Sequence, residues 1–486
     1  MSKHFIQPVT RREMLRVCSG GFGALACAGL SSLWSEAEAA PAAAKAAGPG
    51  KRPGGTRENP LAPKPPHFAP RAKRVIFLFM HGGPSQVDTF DPKPLLTRDS
   101  GKPYPFEKPR VQFAGTGNLL RSPWEFKKYG QSGIEVSDLF PNVGGCADDL
   151  CVIRSLHADN TAHGGALLQL HTGSDTFVRP SVGSWIVYGL GTENENLPGF
   201  ITICPTLGHG GVRNFSSAFL PALYQGTGIG NASIPASRAQ INHIKSLEKE
   251  PARQRRQLDL LQEMNRETLK AAQVDSQLEA RIESFELAFR MQTEAPKWMD
   301  ITGESAATLD LYGIGKEPTD NFGRQCLLAR RYAQAGVRFI QCTHSYKWDQ
   351  HGDLKRDHAR NAAEVDLPIA GLLKDLKAHG LLKDTLVVWG GEFGRTPTAQ
   401  GDDGRDHNPN GFSMWMAGAG VKGGLAYGAT DDYGYYAVQN KVHMHDLHAT
   451  ILHLLGLDHT KLTYRYAGRD FRLTDVSGNV VKDILT

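Results

Sequence analysis

The sequence predicts an α/β fold: a three-layer sandwich whose central sheet is mostly parallel, with one helical insertion. Three observations predict it. Short apolar runs of β type recur along the chain, helical patterns separate several of them, and one long charged segment breaks the alternation. With 486 residues, the chain is long enough for one large domain carrying insertions.

The folded part opens at KRVIFLFMHGGPS, an apolar run closed by Gly-Gly-Pro. LCVIRSL, FITIC, VRFIQC, TLVVWGG and FSMWMAG follow it. NFGRQCLLARRYAQAG precedes VRFIQC, and ARNAAEVDLPIAGLLKDLKAHGLL precedes TLVVWGG. Helix leading into strand in this way indicates parallel strands covered on both faces. Residues 236–297 are charged, with apolar residues at three- and four-residue spacing, so they are expected to form helices inserted into a domain spanning 71–486. A lid, a dimerisation element and a surface decoration all fit such a segment.

The N-terminus carries Arg11-Arg12, then VCSGGFGALACAGLSSLW, then AEAAPAAAKAAG. This is the layout of a twin-arginine signal peptide over 1–39, with cleavage near Ala37-Glu38-Ala39. The middle is short and glycine-rich, unlike a spanning helix. Residues 40–70 are rich in Ala, Pro, Gly and Lys, the composition of a disordered linker. The expected location is therefore periplasmic or extracellular, with no stable membrane span once the signal is removed. A net charge of +5 gives no case for nucleic acid or a polybasic anchor. Cys18 and Cys27 lie in the signal; Cys146, Cys151, Cys204, Cys326 and Cys342 remain, with no Cys-x-x-Cys to hold zinc through thiolates. Cys146 and Cys151 suit either a disulfide or buried free thiols.

Open α/β sheets bind ligands beyond the carboxyl ends of their strands. After VIFLFM comes His81, followed by Gly82-Gly83-Pro84-Ser85. After VRFIQC come His344, Tyr346, Asp349 and His351. After LVVWGG come Glu392, Phe393 and Arg395, then Asp402, Asp403, Arg405, Asp406 and His407. Three glycine-flanked clusters of carboxylate and imidazole, each directly after a strand, predict a shared metal or anion site. Mixed Asp/His sets suit zinc, manganese or iron; all-oxygen sets suit calcium or magnesium.

Four stretches carry a resemblance to a known family: RVIFLFMHGGPSQVDTFDPKP, WDQHGD, WGGEFGRTP with GRDHNPNGF, and VHMHDLHATILHLLGLDHTKLTYRYAGRDFRL. Over most of residues 74–475 the chain resembles the alkaline phosphatase/sulfatase superfamily, and within it an exported group, domain of unknown function 1501. The resemblance implies an alkaline phosphatase-like sandwich and a divalent metal: zinc, manganese or calcium. Its metal ligands would be Asp349, His351, Glu392, Asp406 and His407, with His81 in the place of a first-strand Asp and Phe393 in the place of a His. A nucleophile at a helix start, nine residues before Thr172-Gly173, falls at His163, with Thr161 two residues earlier. His163 could also be a ligand.

Arg395 is expected to clamp an anionic group and to stabilise developing charge, with Arg324 and Arg405 as further clamps. His157 is a candidate for substrate binding or metal ligation, and His443, His445 and His448 for bordering the site. Ser85 would be the nucleophile of a serine esterase, but no Gly-x-Ser-x-Gly elbow surrounds it. The leading expectation is an exported metal-dependent hydrolase of phosphate or sulfate esters, acting on a small anionic ester, free or carried on a polysaccharide. The alternative is a non-catalytic binding or assembly protein with a degraded site.

Overall fold

The computed structural model describes residues 59–108, 115–246, 248, 250–271 and 276–486. The expected signal peptide and most of the expected linker lie outside the described residues. The chain divides into two units, Asn59–Asn242 with Asp275–Thr486, and Met1–Glu58 with His243–Val274. In the second, the helix α3 (Pro251–Ala271) is described.

The first unit is built on a nine-stranded sheet. Its strands are β1 (Arg74–Met80), β2 (Leu150–His157), β3 (Phe200–Ile203), β4 (Thr227–Ile229), β5 (Phe339–His344) and β6 (Thr385–Gly390). After a separate hairpin of β7 (Gly394–Gln400) and β8 (Gly404–Asn408) come β9 (Phe412–Ala417), β10 (Leu425–Tyr427) and β11 (Val442–His443). The order is β10-β2-β9-β6-β1-β5-β3-β4, with β11 also on β2. Only β9 runs against the others, pairing antiparallel with both β2 and β6.

All six apolar runs singled out in the sequence are strands of this sheet, and β1, β5 and β6 are buried at every position. Continuous burial, rather than alternation, is what a sheet covered on both faces demands. The covering helices include α1 (His163–Thr172), α2 (Val182–Leu190), α5 (Asp320–Gln334), α6 (Leu354–Ala378) and α7 (Met444–Leu454). Another helix, α4 (Ser276–Met299), is tied to α5 where Arg331 donates to the carbonyls of Trp298 (2.9 Å) and Lys297 (3.0 Å). Thus helices do occupy the segment expected to be a helical insertion, α4 in one unit and α3 in the other.

Residues 59–70 and the described cysteines are both packed into the first unit. From residue 59 the supposed linker is packed: Leu61 is buried, and the backbones of Lys64 and His67 donate to Leu190 (2.9 Å) and Gly456 (2.9 Å). Cys146 and Cys151 are buried free thiols, as are the other three described cysteines. Burial raises the Cys151 thiol to about 12, so it is inert packing.

Candidate metal centre at the carboxyl edge of the sheet

β1, β5 and β6 are neighbours, with Met80 beside His344 and Phe79 beside Gly390, so the loops after them leave the sheet together. Glycine lets those loops touch. Gly82 has φ +117°, and a Cβ there would stand 2.8 Å from the backbone nitrogen of Asp349. A Cβ on Gly391 would meet the Met80 carbonyl at 2.7 Å. Larger residues at either position would force the His81, Asp349 and Glu392 loops apart.

The segment after β6 is more ordered than its composition suggested. It folds back as the β7–β8 hairpin, whose register places His407 opposite Arg395, with a shift between Arg405 and His407. Asp402 and Asp403 lie exposed in its turn, and Asp403 accepts from the Asp353 backbone (2.8 Å). The fourth contribution is α1, whose first residue is His163; its N-cap, Ala162, offers no side-chain hydrogen bond.

These elements converge on one oxygen. Asp349 Oδ1 lies 3.3 Å from His163 Nε2, 3.0 Å from His351 Nε2 and 3.1 Å from His407 Nε2. Among the described residues, three sets of side chains have ligand atoms close enough to share an ion: His81, His163 and Glu392; His163, Asp349 and His407; and His351, Asp406 and His407. The second nitrogens of two rings are already spoken for. His407 Nδ1 donates to the Thr161 carbonyl (2.7 Å), and His163 Nδ1 to Glu392 Oε1 (2.7 Å). A carbonyl can only accept, so the His407 proton sits on Nδ1, and the Nε2 of the neutral ring turns a lone pair toward a carboxylate oxygen. That Nε2 also lies 3.1 Å from His351 Nε2, so a single imidazole proton is left to serve the His351, His407 and Asp349 contacts, and a cation would serve them all. His81 adds a buried ring, 0% exposed, with neither nitrogen hydrogen-bonded. Leaving such a donor and acceptor unmet costs about 1–3 kcal/mol each. Orphaned nitrogens, crowded imidazoles and a mixed imidazole–carboxylate set all fit a divalent metal.

The electrostatics agree. Burial would raise the Asp349 carboxyl, but His163, His351, His407 and Arg395 together drive it far below the carboxylate range. Burial also opposes ionisation of Glu392, yet the hydrogen bond from His163 and the nearby His81 hold it low. Burial pushes His81 down to about 4 against the pull of Glu392. His407 is likewise lowered by burial, which favours the neutral ring that a metal takes.

Several expected roles change. Arg395 is 0% exposed and cannot clamp a substrate. It donates to the carbonyls of Gly83 (3.1 Å), Arg405 (3.2 Å), Trp348 (3.0 Å) and Gly82, and to Asp349 Oδ1 (2.6 Å). It therefore sets the positions of three loops and of Asp349. Arg405 is buried against Asp88 (2.7 Å), and Arg324 pairs with Asp320 on α5 (3.0 Å). Neither is at the cluster. Ser85 is buried and donates to Asp88 Oδ2 (2.5 Å), which excludes it as an esterase nucleophile. Phe393 packs against two rings of the cluster, 4.4 Å from His407 and 4.9 Å from His163. His157 is placed apart, 5.0 Å from the His443 ring.

Three residues with no role assigned from sequence also meet the cluster. Tyr346 donates its hydroxyl to Asp349 Oδ2, and Gln400 pairs with His351 Nδ1. His209, in the segment after β3, stacks on His163 at 5.0 Å and meets His81 edge-on at 5.7 Å. Glycines around a histidine beyond a short apolar run were its only sequence signal.

Fold and site together define an α/β protein with a histidine–carboxylate cluster at the carboxyl edge of a mostly parallel sheet. The chain belongs to the family described as protein of unknown function (DUF1501), whose model matches residues 72–485. No curated protein matches the sequence. Solved structures show a distant likeness. A protein in the alkaline phosphatase superfamily from Vibrio parahaemolyticus is 10% identical over 82% of this chain and 69% of that chain, with a TM-score of 0.35. The PsFucS1 sulfatase from Pseudoalteromonas sp. is 12% identical over 79% and 67%, with a TM-score of 0.32. The alkaline phosphatase from the Antarctic bacterium TAB5 is 10% identical over 79% and 98%, with a TM-score of 0.33. Likeness at this level carries neither ligand nor activity to this chain.

Proposed function

We propose that the protein is an exported, metal-dependent hydrolase of phosphate or sulfate esters. The observation that supports the metal is the crowding at Asp349 Oδ1, which has the Nε2 atoms of His163, His351 and His407 at 3.3, 3.0 and 3.1 Å. Asp349, His351, His407 and His163 would hold the ion, with His81, Glu392 and Asp406 as the remaining donors around it. So many imidazoles favour zinc or manganese over calcium, which takes oxygen ligands. When bound, the metal polarises the central atom of the ester and offsets the charge that develops on its oxygens.

The chain's own residues prepare that chemistry. Arg395 fixes Asp349, and Glu392 fixes the tautomer and orientation of His163. The uncapped first turn of α1 presents free N–H groups beside the cluster, where an anion is favoured. Both nitrogens of His163 face carboxylates, which supports a ligand role over direct attack on phosphorus. Attack then falls to the Thr161 hydroxyl or to water.

The test is metal content of the purified mature protein, followed by a panel of aryl phosphate, phosphodiester and sulfate substrates with and without chelator. Bound metal with chelator-sensitive turnover supports the hydrolase. Bound metal with no turnover on any ester supports the alternative, a binding or assembly protein. Thr161→Ala decides between the two attacking groups: it abolishes turnover only if the hydroxyl attacks. Export by the twin-arginine route is tested by replacing Arg11 and Arg12 with Lys and following the protein by cell fractionation. Among the described residues, no helix is long and apolar enough to cross a membrane.

A further inference from the structure

A bound phosphate or sulfate needs donors, and neither Arg395, at the cluster, nor Arg405, away from it, supplies them. Arg395 and Arg405 are both fully buried and committed to carbonyls, Asp349 and Asp88. The Tyr346 hydroxyl is committed to Asp349, and Lys347 to Glu364. His81 is buried beneath the other rings.

His209 differs from all of these. It is exposed, and its ring makes no hydrogen bond among the described residues. One face lies on His163, 21° from parallel, and Tyr346 stands 4.8 Å away. Its backbone is in the left-handed region, with φ +44°. A non-glycine residue there costs about 1–2 kcal/mol. The neighbours are Gly208, Gly210 (φ +105°) and Gly211 (φ +55°), so glycine is the residue this turn otherwise uses. The turn is held by the buried Asn214, which donates to the His209 carbonyl (3.3 Å). A strained imidazole among glycines, open to solvent and seated on a ligand ring, calls for a reason in the ring itself.

We propose that His209 contacts the substrate, donating its ring N–H to an oxygen of the bound phosphate or sulfate group. This deepens the hydrolase reading and rests on it. His209 is not a metal ligand in this scheme; it stands between the metal cluster and solvent, on the path of the incoming anion.

The decisive variant is His209→Gly, which suits the left-handed backbone and so folds at least as well as the natural chain. Its companion is His209→Asn, which tolerates the same φ and keeps an N–H donor. The full chain loaded with zinc is titrated with inorganic phosphate and with sulfate by calorimetry, and its zinc content and melting temperature are measured. We expect His209→Gly to weaken binding of the anion about tenfold, the loss of one hydrogen bond to a charged group. Zinc content is unchanged, thermal stability is equal or higher, and His209→Asn recovers part of the affinity. Unchanged anion binding in His209→Gly overturns the assignment, and so does loss of zinc, which would make His209 a ligand. If the natural chain itself binds neither anion, the hydrolase reading fails and His209 falls with it. If it binds and the variants bind equally, only the assignment of His209 fails.

Discussion

Two histidine-rich regions lie on the same edge of this sheet, and they are built in opposite ways. Around Asp349, imidazoles from three different elements turn nitrogens toward one carboxylate oxygen, and the His81 ring nitrogens have no hydrogen-bond partner among the described residues. Around α7, each ring is tied to the fold. His443 caps the helix with Asp446 in a reciprocal box and pairs with Asp159 (3.0 Å). His445 donates to the Gly173 carbonyl and His448 to that of Leu170, both at 2.8 Å. A density of histidines therefore does not mark a metal centre. What sets the Asp349 cluster apart is several imidazole nitrogens crowding one carboxylate oxygen, an arrangement that a cation would relieve.

The comparison breaks most visibly at the carboxylate. Asp349→Ala removes the oxygen on which three rings converge, and it is expected to abolish both metal content and turnover. His445→Ala is expected to leave both unchanged. Elemental analysis of the two purified variants decides the matter; loss of metal from His445→Ala would merge the two regions into one site.

Arg395→Ala is expected to come next. It leaves Asp349 and several buried carbonyls without their donor, at a cost of about 3–5 kcal/mol, the range for breaking a buried charge pair. Urea denaturation measures that cost, and metal affinity falls with it because Asp349 is no longer held. Arg405→Ala breaks the pair with Asp88 at a similar cost but leaves metal stoichiometry intact. A drop in metal content in both variants would show that the arginines share one role.

Smaller effects belong to the α7 region. His448→Leu loses one buried hydrogen bond and is expected to cost about 1 kcal/mol by the same denaturation measurement, with no change in metal. The Asp159–His443 pair gives the gentlest signal, in pH. The hydrogen bond from His443 holds Asp159 at about 2, below its ordinary value. A depressed carboxyl contributes stability above its unfolded pKa, near 4, and loses that contribution as pH falls toward about 2. The stability difference between the natural chain and Asp159→Asn should thus be present at pH 5 and vanish near pH 2. A difference that persists at pH 2 would remove His443 as the partner of ionised Asp159.

The strands and the strand-end chemistry were legible in the sequence for a local reason. Runs such as VIFLFM and TLVVWG can only be buried on both faces, and in a parallel sheet whatever follows them emerges at one edge. His81, Asp349, Glu392 and His407 all follow such runs, so the sequence alone directs them to one edge. Arg395 is different, because an arginine five residues after a strand has the same local pattern whether it faces solvent or the backs of three loops. Only the closure of the Gly82 and Trp348 loops onto it decides that it is buried.

The same limit applied to His163, whose role follows from Glu392 gripping one nitrogen, and to His209, whose loop arrives from a strand two places along the sheet from β1. The long charged stretch after β6 folded as a hairpin, and its cross-strand register alone set His407 opposite Arg395. Composition and periodicity thus determined the elements and the edge where chemistry could gather. Tautomer, burial and ring contact belonged to the tertiary structure, because each depends on partners tens to hundreds of residues away, and no local pattern encodes them.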